Sequence, residues 1–339
     1  MKILVGLSGG VDSTYAALKL INEGNEVEGA VLVMHEYTDV SGARAVADEL
    51  GIKLHVVDAT EEFKTRVVPN FISEYVSART PNPCIICNER VKFRVLLDFA
   101  LKNGFDAIAT GHYARIVPTE NGKALALSKD VTKDQTYMLY RLPADVLSRL
   151  VLPLAEYEKR DVVELTRACG ITAADKKESQ EICFIPDNDY AAYIERVVGP
   201  SIEGDFVDEQ GRVLGRHKGI IRYTVGQRKG LGVSASARIF VKDIDPLTNR
   251  ITLSLENPPI KEFSVFDVVY SGVSPLKPGD AVRMQVRVRY RSERTLCTVV
   301  CALDGTLEVT LDVPQHFVTK GQSAVFYDGD TVAFGGFIS

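Results

Sequence analysis

The chain of 339 residues has no tryptophan, five histidines and four methionines, and no apolar run near the ~20 residues that span a bilayer. Its first apolar stretch, residues 3–7, breaks into Ser8-Gly9-Gly10 too early for a secretory leader. No membrane association and a cytosolic location are therefore expected. An excess of positive charge is also missing: 40 Lys+Arg stand against 45 Asp+Glu, a net charge of −5. That excludes a uniformly basic nucleic-acid glove and leaves room for a local basic stripe. With 25% charged and 45% hydrophobic residues the composition is globular, which rules out disorder, collagen and coiled coil. No internal repeat or low-complexity segment is visible. The six cysteines, in a compartment that keeps thiols reduced, read as reactive, metal-binding or buried rather than as a disulfide framework.

The length suits two or three domains. Over the first 110 residues, apolar runs at 3–7, 27–34, 54–57 and 106–110 alternate with helical periodicity at 14–23, 43–50, 63–75 and 91–101. The third helical run is expected to be interrupted at Pro69. This alternation predicts an α/β domain with a parallel sheet covered by helices, its functional loops at the strands' C-terminal ends. A hairpin turning at Asn121-Gly122 follows. From Pro200 the pattern becomes short alternating segments between Gly, Asp and Pro turns, an all-β texture. The expected division is 1–197, an α/β catalytic domain; 198–257, a small mostly-β central domain; and 258–339, a C-terminal β-barrel.

Between the first strand and first helix lies Ser8-Gly9-Gly10-Val11-Asp12-Ser13. Its glycines permit the positive φ that turns successive amides toward one point, and the helix N-terminus adds partial positive charge, so a phosphate is the natural guest. No lysine follows the glycines, which excludes the loop of enzymes that cleave at the γ-phosphate. A cradle of this kind can hold the pyrophosphate that leaves when ATP donates AMP, with Asp12 available to Mg²⁺. The plainer reading is a tight glycine turn with a helix cap at Asp12-Ser13. The strand–loop–helix pattern resembles the ATP pyrophosphatase family, with its parallel-sheet PP-loop fold of the adenine nucleotide alpha hydrolase type.

Two cysteine segments carry further chemistry. In residues 80–93, TPNPCIICNERVKF, the Pro-Asn-Pro start is expected to stay out of helix, with a helix opening near Asn88. Cys87 would then lie near a helix N-terminus beside Arg90 and Lys92, an environment that favours a thiolate. A buried thiol beside a helix cap is the alternative. The second segment is Ser179-Gln180-Glu181-Ile182-Cys183-Phe184-Ile185-Pro186, preceded by Lys176-Lys177. Together with Thr110-Gly111-His112-Tyr113-Ala114-Arg115, Lys133-Asp134-Gln135-Thr136-Tyr137, residues 223–232 and residues 321–327, these blocks run in order along nearly the whole chain. In this they resemble the tRNA-specific 2-thiouridylases.

That resemblance implies ATP-dependent 2-thiolation of the wobble uridine, position 34, of tRNA. Cys87 would be the nucleophile and Cys183 the persulfide carrier, leaving a Cys87–Cys183 disulfide to be reduced. Sulfur would arrive from a cysteine desulfurase or a relay protein. ATP would be held by Gly6, Leu7, Ser8, Gly9, Gly10, Val11, Asp12 and Ser13, with Gly111 and Leu32 (or Met34, if the register differs) near the adenine. Asn82, Pro83 and Cys84 would meet the target base, and His112, Lys133, Asp134, Gln135, Arg289, Tyr290 and Gln322 the tRNA. The residues alone would leave His112 a hydrogen-bonded core histidine.

Cys84 departs from the family, whose commoner pattern has Asp there. Cys84, Cys87 and Cys183 are three soft ligands that could hold a [4Fe–4S] cluster with one open iron site, an alternative carrier of hydrosulfide. A structural zinc is a third reading. Cys169, Cys297 and Cys301 match no motif and read as buried structural thiols. Two other functions stay open: an adenylating amide ligase of the same superfamily, and a tRNA-binding ATP protein without catalysis.

The barrel offers a separate argument. In residues 282–291, Val282, Met284, Val286, Val288 and Tyr290 alternate with Arg283, Gln285, Arg287, Arg289 and Arg291. Period two predicts an inward apolar set and an outward row of guanidiniums suited to phosphates, or simply a charged edge strand.

Overall fold

Strand–helix alternation in the sequence becomes a parallel sheet in the computed structural model, which describes residues 1–171, 182–233, 238–316 and 318–339. Its strands are β1 (Lys2–Gly6), β2 (Glu26–Val33), β3 (Leu54–Asp58), β4 (Ala107–Ala109) and, after a hairpin of β5 (Arg115–Thr119) and β6 (Gly122–Ala126), β7 (Leu150–Val151). They lie in the order β3-β2-β1-β4-β7. The direction of winding reverses between β1 and β4, and the crevice beyond the strand ends at such a reversal is where α/β sheets bind ligands.

The connecting helices are α1 (Val11–Asn22), α2 (Ser41–Leu50), α3 (Thr60–Arg66), α4 (Val68–Val76), α5 (Pro83–Cys87) and α6 (Phe93–Lys102). The break between α3 and α4 puts Pro69 in the first turn of a new helix, where its missing N–H costs nothing. Ile3, Val5 and Leu7 pack with Ala17, Leu20 and Val46 on one face of the sheet; Leu4, Leu96, Leu97 and Ile108 fill the other.

After the helix Tyr190–Val198, the described residues are all β apart from one helical turn, Ile220–Arg222. Strands β8 (Gly204–Val207), β9 (Val213–His217), β10 (Phe240–Asp245) and β11 (Arg250–Ser254) form a small sheet in the order β10-β11-β8-β9. The remaining strands, β12 (Ile260–Tyr270), β13 (Ala281–Arg287), β14 (Thr295–Cys301), β15 (Leu307–Gln315), β16 (Ser323–Asp328) and β17 (Thr331–Ile338), close into a barrel through β12–β17 pairing. Hairpin β5–β6 belongs by sequence to the first domain, yet it adds to the barrel's sheet at Thr331↔Ala126. The barrel therefore shares a sheet with the α/β domain.

The inward set on β13 is as the alternation predicts, with Val282, Met284, Val286 and Val288 in the barrel core, but Tyr290 packs instead against the core of the α/β domain. The row of free guanidiniums is not there. Arg283 pairs with Asp312 on the surface. Arg287 turns inward, its Nη1 3.4 Å from Asp134 Oδ2. The cause is the loop after β6, which brings a carboxylate that the local sequence of β13 does not contain.

Candidate active site

The C-terminal ends of β1, β2 and β4 meet in one crevice. From β1 comes the loop of residues 8–10. Gly9 alone among its glycines has positive φ, +72°, and a Cβ there would stand 2.4 Å from Gly42 C. Gly10 is an extended N-cap, and no side chain caps the first turn of α1. Ser13 Oγ donates to the Gly10 carbonyl at 3.0 Å and accepts from Ser8 N at 3.2 Å, which folds the loop tightly. An uncapped helix start behind such a turn fits a phosphate. Leu7 and Val11 are buried, so only their backbone can serve a nucleotide.

From β4 comes Gly111, packed so closely that a Cβ there would lie 2.5 Å from Asp12 C. His112 Nδ1 is 2.9 Å from Thr110 Oγ1, and its ring lies 5.4 Å from that of Phe93. Loss of hydration, reinforced by Lys92, pushes its pKa down to about 3. His112 is thus a neutral hydrogen-bonding imidazole rather than a cation for RNA phosphates.

Asp12 is already engaged. Both carboxylate oxygens accept from Lys159 Nζ, at 2.7 and 2.6 Å, and Oδ1 also accepts from Tyr113 Oη at 2.8 Å. Lys159 is the first residue of the helix Lys159–Ala168, and its N–H donates to Asp130 Oδ2 at 3.0 Å. Sequence reading missed Lys159, because 147 positions separate it from Asp12 and no local motif marks it. The lysine absent from the loop is supplied from another helix.

From β2 comes Met34, whose Sδ is 3.7 Å from Cys87 Sγ. Leu32, within β2, packs into the core instead. The helix expected near Asn88 begins earlier: Pro83 is its first residue and Asn82 its cap, with Oδ1 accepting from Cys84 N at 3.2 Å. Pro-Asn-Pro starts the helix because proline fits the first helical position. Cys87 consequently ends α5 and enters a π-helical turn, Asn88–Lys92, a rare geometry common at functional sites. It is buried, and desolvation raises its pKa; Lys92, through its charge and its backbone N–H, opposes that shift. The expected thiolate at a helix N-terminus is corrected to a buried thiol.

Phe184 anchors the Cys183 segment. Its ring meets Phe63, Phe71 and Tyr193 at 5.2–5.3 Å, and with Ile185 it shares a core with Ile86 and Cys87. Cys183 itself is exposed. Desolvation, followed by the charges of Cys84 and Cys87, pushes its pKa up to about 11. The two loops therefore meet, and all six cysteines are free thiols; Cys297 and Cys301 are buried as expected, whereas Cys169, at the C-terminal end of its helix, is exposed. Among the described residues no three His, Cys, Asp or Glu side chains are grouped to hold a metal ion. Lys176, Lys177 and Ser179, Gln180 and Glu181 lie outside the described residues.

Three family models match in sequence order: a "tRNA methyl transferase HUP domain" over residues 1–187, a "tRNA methyl transferase PRC-barrel domain" over 191–254 and an "Aminomethyltransferase beta-barrel domain" over 262–338. Proteins named tRNA-specific 2-thiouridylase MnmA from Clostridium acetobutylicum and Lachnoclostridium phytofermentans are 40% and 42% identical, each over 99% of both chains. The chain belongs to the tRNA-specific 2-thiouridylase family. Among solved structures, a 4-thiouridine synthetase–RNA complex with bound ATP is 20% identical, with a TM-score of 0.37 over 57% of this chain and 50% of that one.

The residues that thiouridylase resemblance assigns to tRNA mostly line the seam between barrel and α/β domain. Asp134 is 2% exposed and accepts from Ser128 N, Thr136 Oγ1 and Arg287, so RNA does not reach its carboxylate. Burial raises its pKa despite those donors. Gln135 Oε1 accepts from Tyr113 N at 2.9 Å. Arg289 Nη2 donates to Thr319 Oγ1 at 2.6 Å, and Tyr290 lies 6.2 Å from the ring of Tyr137. Gln322 Nε2 donates to the Thr80 carbonyl. Lys133 is half-buried in the Asp130 turn.

Proposed function

We propose that this chain is an AMP-forming tRNA-uridine 2-sulfurtransferase acting at wobble position 34. One observation carries the reading: the phosphate-type loop with Asp12 follows β1, the buried thiol of Cys87 on α5 lies against Met34 just past the end of the neighbouring strand β2, and the Cys183 segment packs against the same core as Cys87. Methyl transfer, the reaction in the family-model description, gives no task to paired thiols beside such a loop.

The C2 carbonyl of uridine is urea-like and a poor electrophile. Adenylating its oxygen makes AMP the leaving group, and the loop amides of residues 8–13 hold the pyrophosphate that departs from ATP. Asp12 offers the hard oxygens that suit Mg²⁺, which when bound neutralises phosphate charge. Lys159 supplies a cation at the same place.

Cys183 accepts a sulfane sulfur, as a persulfide, from a cysteine desulfurase or relay protein. The persulfide attacks C2 and AMP leaves. Cys87 thiolate then attacks Cys183 Sγ, which leaves the sulfur on the base and a Cys87–Cys183 disulfide on the enzyme. The family's usual role for Asn82 and Pro83 at the target base is compatible with their place one turn before Cys87.

The test uses purified protein with ATP, Mg²⁺, a cysteine desulfurase with cysteine as sulfane-sulfur donor, a dithiol reductant and unmodified tRNA, with nucleosides read by mass. 2-Thiouridine is expected at position 34 and is lost in Cys87→Ser and Cys183→Ser variants. Amide formation on a small acid without thionucleoside would assign the chain to the ligases. tRNA binding with neither product would make it a catalytically inactive binder.

A further inference from the structure

Cys84 has no task in the reaction just described. It stands three residues before Cys87 on α5, with the Asn88 N–H donating to the Cys84 carbonyl, so the two side chains are neighbours on one helical face. Cys-x-x-Cys at the start of a helix is the spacing of exchanging dithiols. Cys87 is 6% exposed and covered by Met34, whereas Cys84 is half-buried and Cys183 exposed. An external reductant meets Cys87 sulfur poorly; Cys84, from the same turn, does not have that barrier.

We infer that Cys84 is a resolving thiol that moves the Cys87–Cys183 disulfide onto the Cys84–Cys87 pair and so frees Cys183 for its next sulfur. Cys84 thiolate attacks Cys87 Sγ, the Cys84–Cys87 bond forms, and the Cys87–Cys183 bond breaks with its electron pair leaving on Cys183. The proton lost by Cys84 is balanced by the one Cys183 gains. Two electrons and two protons from an external dithiol then reduce Cys84–Cys87, and that dithiol becomes a disulfide. The inference rests on the thiolation reading above.

The test follows the disulfides of the full chain by mass. The protein is oxidised with one equivalent of diamide or taken through one turnover, quenched by alkylation and digested with trypsin. Residues 80–90 form one peptide carrying both Cys84 and Cys87. In the wild type that peptide should end two hydrogens lighter, with Cys183 alkylated. In Cys84→Ser the cross-link between this peptide and the Cys183 peptide should accumulate. A wild type that stops at Cys87–Cys183 with Cys84 alkylated overturns the inference. So does iron held by Cys84 in anaerobically prepared protein. Absence of thiouridine in the turnover arm would instead strike the thiolation reading, while the diamide arm still reports whether Cys84 exchanges.

Discussion

The side-chain amide of Gln322 donates to the Thr80 carbonyl at 2.7 Å, joining positions 242 residues apart. Thr80 N donates in turn to the Lys320 carbonyl at 2.9 Å, so the barrel grips the chain just before Pro81. At the other end of the thiol segment Arg141 ties Glu89 to the barrel's Asp267. The barrel thus fixes both flanks of the turn that carries Cys84 and Cys87.

Gln322→Ala should therefore act on catalysis more than on binding. Loss of one hydrogen bond to a half-buried carbonyl costs about 1 kcal/mol. The expected result is a kcat for thiolation reduced severalfold with tRNA Kd within about twofold. A weakened Kd with kcat unchanged would make Gln322 a direct RNA contact instead.

The Lys159–Asp12 pair predicts a second effect. Lys159→Met removes the cation beside the phosphate loop, and loss of one charge-stabilising donor typically costs 10²–10³ in rate, about 3 kcal/mol. ATP–pyrophosphate exchange in the presence of tRNA should fall by about that factor, with the melting temperature little changed because the pair is partly solvated. Exchange within twofold of wild type would reduce Lys159 to a helix-surface ion pair.

The fold was legible where the signal is local. Period and punctuation gave the sheet, the first helix and the all-β second half, because β-branched runs and glycine stops act over a few residues. The loop of residues 8–13 and the two cysteine segments were legible for the same reason. What escaped depends on distant partners. Arg287 looked like an outward cation until Asp134, 153 positions away, met it. Asp134 looked like an RNA contact until the barrel covered it. Cys87 could be read as a thiolate at a helix N-terminus or as a buried thiol, and the first reading fails because its helix begins at Pro83 rather than near Asn88.

Cys183 gives a prediction in pH. Its pKa is raised to about 11, so near neutrality the group is a thiol and little of it is thiolate. Below pH 11 the thiolate fraction, and with it the iodoacetamide alkylation rate, should rise about tenfold per pH unit. In Cys84→Ser/Cys87→Ser the repulsive partners are gone and the profile should shift to lower pH. A rate already level from pH 8 to 9 would contradict this environment.

Arg141 gives the last prediction, in stability. Its side chain is 4% exposed, its Nε lies 3.0 Å from Glu89 Oε1, and its other nitrogens donate to the Asp267 carbonyl at 2.8 Å and carboxylate at 3.0 Å. The guanidinium also lies over the Phe337 ring at 4.9 Å. Asp267 has φ +50° in a bulge of β12, a conformation that needs outside support in a non-glycine residue. Arg141→Met leaves Asp267 without its guanidinium, Glu89 with only its 3.3 Å contact to Arg90, and that bulge unsupported. Because Asp267 is half in water while Glu89 is not, most of the cost falls on Glu89, and about 3 kcal/mol of unfolding free energy should be lost. Adding Glu89→Gln to Arg141→Met should restore about 1 kcal/mol, since the half-buried charge then held by Arg90 alone is gone. Urea unfolding of the four proteins of this cycle checks it, and strictly additive changes would mean that Arg141 stabilises the seam by packing on Phe337 and not through the carboxylate of the π-helical turn.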